Sequence, residues 1–182
     1  MKRISIKTLA VSGVSLALAF VLSCIKLWSW PNGGSITACS MVFVTIIGWF
    51  FGPFVGLISA FAYAVLQFVQ HPVILSIPQV LFDYFFAFTA LGISGFFYKK
   101  KEGLIIGYVI AVLLRLIFAT LASLLFWAEY LEPVFNINSL FLASLFYNGS
   151  YILPEAVITA VILLLPPVKK LLIKLKARLL SD

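Results

Sequence analysis

The strongest constraint on this chain is a series of uninterrupted apolar runs, most of them close to the length that crosses a bilayer. A spanning helix needs roughly 20 mostly apolar residues, and within hydrocarbon its backbone must satisfy its own hydrogen bonds. Such runs cover residues 8–27, 37–51, 54–69, 79–98, 103–126 and 139–165. They do not alternate apolar and polar positions, which argues against membrane β-strands. Only 10% of the 182 residues are charged and 63% are hydrophobic, whereas a soluble domain carries about 25% charged residues. The reading is an all-α, polytopic membrane protein with six transmembrane helices. It forms one transmembrane domain over residues 1–182, with a basic tail at 169–182.

The charges orient it. The net charge is +7, and eleven of the thirteen Lys and Arg residues flank span ends. Lys2, Arg3 and Lys7 precede the first run, Lys99, Lys100 and Lys101 follow the fourth, and the rest lie in the tail. The positive-inside rule then puts both termini in the cytoplasm and the first, third and fifth loops outside. With the cations explained this way, a nucleic-acid partner has no support. The tail interleaves Leu171, Leu172, Leu175, Leu179 and Leu180 with lysines, as an amphipathic helix on the inner leaflet does. The start imitates a lipoprotein signal ending at Cys24, but its apolar stretch exceeds an ordinary signal core of about 7–15 residues. It reads as an uncleaved first helix. Cys24 and Cys39 define neither a metal site nor a disulfide framework.

Polar residues inside spans are costly and mark function or paired structure. Asp83 lies early in span four, Arg115 midway along span five, and Glu155 midway along span six, directly after Pro154. Asp83 and Arg115 suit either an interhelical ion pair or the wall of a cavity. Asn148, Tyr151 and Glu155 share one helical face at i, i+3, i+7, suited to a polar ligand or to helix packing. If Asp83, Glu155 and Arg115 face one cavity, the sum of −1 complements a cation. Trp28, Trp30, Trp127 and Tyr130 lie in outer loops, as an interfacial belt or as a stacking lid. Trp49 reads as belt, and His71, between prolines, as surface. Ala10, Gly13 and Ala17 make a small-residue stripe for a partner helix or for internal packing. No phosphate-binding Gly-x-x-x-x-Gly-Lys-Ser/Thr string occurs, so the chain does not hydrolyse ATP itself. An intramembrane enzyme would need a nucleophile or metal constellation that one loop histidine does not supply.

Several stretches taken together resemble the thiamine-specific S components of energy-coupling factor (ECF) vitamin transporters, over nearly the whole chain. They are GGSIT at 33–37, QVLFDYFFAF at 79–88, LGISG at 91–95, FWAEY at 126–130 and YNGSYILPE at 147–155. The resemblance implies a non-enzymatic, six-helix subunit without a cofactor that binds thiamine near the outer face, under the first loop. A separate membrane coupling subunit and two ATPases would drive transport. It matches Asp83 and Tyr84 to an acidic–Tyr pair near the thiazolium, Arg115 to a basic residue, Trp127 to a stacking Trp and Asn148 to an amide. Tyr151, Glu155 and Trp30 complete the expected binding set from the residue reading. Gly13 and Ala17 match the stripe that docks on the coupling subunit. Ala119 and Ala143 depart from the pattern, standing where His and Tyr are expected. A different flat heterocycle, such as a thiamine precursor, is therefore the second ligand, and a membrane assembly subunit without a ligand is the other alternative.

Overall fold

The computed structural model describes residues 4–30, 33–130 and 139–181. Ser5 opens the first helix, α1 (Ile6–Cys24), by accepting a hydrogen bond from the Thr8 backbone N–H. An N-cap of this kind satisfies one of the orphan donors of a helix start. The helix ends three residues before the expected boundary at 27, because the chain turns into a two-stranded antiparallel hairpin. Strand β1 (Lys26–Ser29) pairs with β2 (Ser35–Thr37), setting Lys26 opposite Thr37 and Trp28 opposite Ile36. The described residues on either side of the turn thus pair into a lid rather than an irregular connection.

Helix α2 (Ser40–Phe51) begins after Cys39 in a left-handed conformation at φ 59° and ends at Gly52, φ 91°. Its 12 residues rise only about 18 Å, well short of the bilayer's hydrocarbon thickness of about 30 Å. Most of its side chains are buried, so it is surrounded by protein rather than lipid. Five helices are long and apolar enough to span: α1, α3 (Pro53–Gln70), α4 (Ile77–Phe97), α5 (Gly103–Phe126) and α6 (Leu140–Leu164). The second of the six expected spans is therefore this shorter, central helix. Pro53 occupies the first turn of α3, where its missing N–H costs nothing.

The helices α2, α3 and α4 cross on glycines. A Cβ on Gly92 would sit 2.6 Å from the Gly56 carbonyl oxygen, and one on Gly56 would sit 2.7 Å from the Gly48 Cα. No side chain fits, so backbones meet directly as at small-residue crossings in membranes. Helix α4 is irregular, winding wide over Leu81–Phe86, around Asp83, and tight over Ala90–Phe97. A wide turn redirects the side chains it carries, and such turns recur at functional sites.

After Leu165 the chain turns into the amphipathic α7 (Pro166–Leu180), which closes the end of the bundle opposite the hairpin. Three lysines fasten that end. Lys169 pairs with Glu102 at 2.7 Å, holding its carboxyl below the usual carboxylate range, and Lys7 donates to the Arg178 carbonyl at 2.9 Å. Lys176 donates to the Tyr98 carbonyl and lies 4.1 Å from the Trp49 ring centre. Desolvation lowers the Lys176 ammonium to about 8. Trp49 is accordingly not an interfacial belt residue: it is 4% exposed beneath α7.

Candidate functional site

Under the hairpin, α3, α4, α5 and α6 enclose a cavity of about 180 Å³. Asp83, Tyr84, Arg115, Trp127, Asn148 and Tyr151 all line it, and Glu155 joins them. The three ionisable side chains read from the spans do face one hollow.

Asp83 carries the sharpest electrostatics. Its Oδ2 accepts from Gln79 Nε2 at 2.6 Å and from Trp127 Nε1 at 2.8 Å. Gln79 is itself fixed, fully buried and accepting from the Leu75 N–H at 3.0 Å. Both donors to Asp83 are neutral, and among the described residues no cation lies within ion-pairing distance of it. The interhelical Asp83–Arg115 bridge is not formed. Arg115 instead lays its guanidinium over the Phe88 ring, 4.4 Å from the centroid, facing the same cavity. Two opposite charges thus face one hollow without pairing. A charge so placed in low dielectric attracts an opposite ligand charge far more strongly than it would in water.

Asn148, 2% exposed, spends its amide within the protein: Nδ2 donates to Ser123 Oγ at 2.7 Å and to the Ser144 carbonyl at 2.9 Å, and Oδ1 accepts from the Tyr151 hydroxyl at 2.6 Å. What remains for a ligand is the second lone pair of Oδ1, an acceptor. Tyr84 presents its ring, while its hydroxyl donates to the His71 carbonyl at 2.7 Å and accepts from the Val73 N–H at 3.1 Å. That hydroxyl braces the loop after α3 more than it offers a polar handle.

Glu155 and Trp30 hold the lid. The Glu155 carboxylate is 3% exposed; Oε2 accepts from the Thr37 N–H at 2.9 Å and the Thr37 hydroxyl at 2.8 Å. Its Oε1 accepts from Ser40 Oγ at 3.3 Å and from the Met41 N–H at 3.5 Å. The side chain touches the cavity, but its charge is spent on β2 and the first turn of α2, where a negative charge also meets the positive helix terminus. Trp30 is not part of the cavity lining; its Nε1 donates to Ser150 Oγ at 2.7 Å, tying the hairpin to α6. Tyr147 adds a third tie, accepting from the Gly34 N–H at 3.0 Å. Gly34 must be glycine at this approach, since a Cβ would fall 2.5 Å from Tyr151 Cε1.

Sequence reasoning missed Tyr147 and the wall made by Tyr63, Gln67 and Gln70 of α3. Their spacing of i, i+4, i+7 within an apolar span was the available signal. His71 is exposed, as expected, yet sits at the cavity mouth with Lys26. Ala119 forms part of the wall, whereas the buried Ala143 does not. Gly13 and Ala17 lie on the exposed face of α1, and a Cβ on Gly13 would meet nothing within 4 Å, so this stripe does not serve packing within the chain. Glu132 and Pro133, in the loop after α5, lie outside the described residues.

A family described as thiamine transporter protein matches residues 9–175. The chain belongs to this family. The thiamine transporter ThiT of Bacillus subtilis is 31% identical over 156 residues, spanning 75% of this chain and 77% of ThiT. A solved structure of ThiT from Listeria monocytogenes shares the fold at TM-score 0.76, with 23% identity, over 94% of this chain and 96% of that one. As a member of the thiamine transporter family, the chain is a multi-pass transport protein of the cell membrane and not an enzyme. The cavity, lid and exposed α1 face described above are this member's version of that fold.

Proposed function

We propose that the chain is the binding subunit for uptake of thiamine, captured in the cavity beneath the hairpin. The observation that carries this reading is Asp83: a carboxylate with only neutral donors, beside Trp127 and Tyr84, in a hollow open toward the hairpin. Thiamine joins a thiazolium cation to an aminopyrimidine ring. Asp83 and the aromatic faces suit the cation, and the free Oδ1 lone pair of Asn148 suits an exocyclic amine. Arg115 is left to meet an acceptor such as the hydroxyl tail. Tyr151 buttresses Asn148, and Glu155 and Trp30 keep the lid closed over the guest.

The six-span arrangement follows if central α2 counts as a crossing, and the lysine-fastened end then faces the cytoplasm under the positive-inside rule. The single transmembrane domain ends in the basic tail formed by α7. Since the chain carries no ATPase motif, uptake is driven by a separate ECF module of a coupling subunit and two ATPases. The coupling subunit docks on the exposed Gly13 and Ala17 stripe, where close helix approach is open. A second reading, a thiamine precursor or another flat heterocycle, is favoured by the bare wall at Ala119.

Titration of purified protein with thiamine, followed by tryptophan fluorescence, tests the proposal. Thiamine quenches saturably, and Asp83→Asn weakens binding about 10- to 150-fold, the loss of about 1.5–3 kcal/mol for a bond to a charged group. Quenching by the precursor alone selects the second reading. No quenching by either, from folded protein, refutes a heterocycle-binding role.

A further inference from the structure

We propose, on the reading that thiamine is the ligand, that Gln67 of α3 is a specificity-determining residue: its side-chain carbonyl accepts a hydrogen bond from the hydroxyl of the thiamine tail. The groups assigned to the ligand so far leave one wall of the cavity unused. Asn148 stands on α6, Arg115 on α5 with Trp127 at its end, and Asp83 and Tyr84 on α4. The remaining wall is α3, through the uncharged Tyr63, Gln67 and Gln70. Helix α3 packs on α4, and α6 packs on α5, so the α3 and α6 walls stand across the cavity from one another.

The covalent shape of thiamine aims its tail at α3. The pyrimidine-bearing carbon and the hydroxyethyl group leave the thiazolium ring from N3 and C5, and therefore diverge. With the pyrimidine amine on Asn148 and the ring between Asp83 and Trp127, the hydroxyethyl group runs away from α6 and toward α3.

The Gln67 amide is already oriented to meet it. Its Nε2 donates to Ser23 Oγ at 2.9 Å and to Gln70 Oε1 at 3.3 Å, which uses both hydrogens. Ser23 is buried, and its hydroxyl donates to the Phe20 carbonyl at 2.7 Å. Gln70 donates to Cys24 Sγ at 3.2 Å, which turns its oxygen toward Gln67. A flipped Gln67 amide would set oxygen against oxygen at that contact. The atom left over is Gln67 Oε1: among the described residues it accepts from no donor, and the protein does not seal it off. An acceptor held in place before the ligand arrives loses little freedom on binding.

A hydroxyl donates and accepts at once. Arg115 supplies the donor and Gln67 the acceptor, so the pair fits a hydroxyl where a methyl group would answer neither. The bond to a neutral carbonyl is worth about 2- to 12-fold in affinity.

Thiamine and its deoxy analogue, whose tail ends in a methyl group, are titrated into the full-length protein and followed by tryptophan fluorescence. The parent prefers thiamine. Gln67→Met keeps the side-chain length without the acceptor and lowers the ratio of the two affinities by about 2- to 12-fold. Affinity for the deoxy analogue stays close to its parent value, which a merely damaged site would not allow. Asp83→Asn weakens both ligands alike and leaves their ratio in place. Should Gln67→Met not fold, Gln67→Leu removes the same acceptor. Equal affinity for the two ligands in the parent, or a ratio unmoved in a folded Gln67 variant, overturns the role of Gln67 while thiamine binding stands. Quenching by neither ligand, from folded protein, overturns the thiamine reading and the role of Gln67 with it.

Discussion

Glu155 ties residues more than a hundred positions apart, and its replacement by Gln measures what that tie contributes. The side chain keeps its shape but loses its charge and gains two donors. One amide oxygen can still accept from the Thr37 N–H and hydroxyl, now 2.9 and 2.8 Å away. The new NH₂ then faces Ser40 Oγ, which can turn to accept, and the Met41 N–H, which cannot. Weakening two charge-assisted bonds and leaving a donor poorly satisfied costs about 2–4 kcal/mol. For a chain of this size that lowers the melting midpoint by about 4–16 °C. Differential scanning fluorimetry of detergent-purified protein reads the shift, and Glu155→Ala falls further because it empties a buried acceptor site. Thiamine affinity falls less in Glu155→Gln than in Asp83→Asn. A melting midpoint within about 1 °C of the parent, with affinity lost, would refute a structural role and place the charge on the ligand.

Two further substitutions probe the lid and the opposite end. Gly34→Ala drives a methyl against the Tyr151 ring; an overpacking cost of about 1–3 kcal/mol in the closed hairpin weakens thiamine binding roughly 5- to 150-fold in the same quenching titration. Unchanged affinity would show that closure does not matter for binding. Lys176 has a folded pKa of about 8, below its usual 10.5. The unfolded chain therefore holds more protons between those values, and stability rises with pH through that window. Lys176→Met flattens this part of the pH–stability curve measured by thermal unfolding, and an unaltered slope would assign the dependence elsewhere.

Much of this molecule was legible in the chain because lipid imposes a simple rule on long helices. Residues 103–126 were bounded by the lysine triplet and Trp127, and helix α5 occupies that segment. Asp83, Arg115 and Asn148 stood out since isolated polar groups in apolar spans need a reason, and the structure turns them to one hollow. The hairpin was hidden by its breaker residues, which announce a turn but not the pairing of Trp28 with Ile36. The division of labour among the acidic residues was hidden too. Nothing near Glu155 in sequence says that Thr37 and Ser40 will surround it, so its charge read as available when it is consumed. Trp49 reads as a belt residue from sequence because the cover that buries it comes from α7, after the last span. Tertiary partners decide such cases, and local pattern does not contain them.

An experimental structure with thiamine bound tests the central claim most directly. The account predicts the thiazolium within 4 Å of the Asp83 carboxylate and against the Trp127 ring, with the pyrimidine amine on Asn148 Oδ1 and the hairpin closed above. Thiamine lying outside the hollow, or lying inside it with its cation turned away from Asp83, would contradict it.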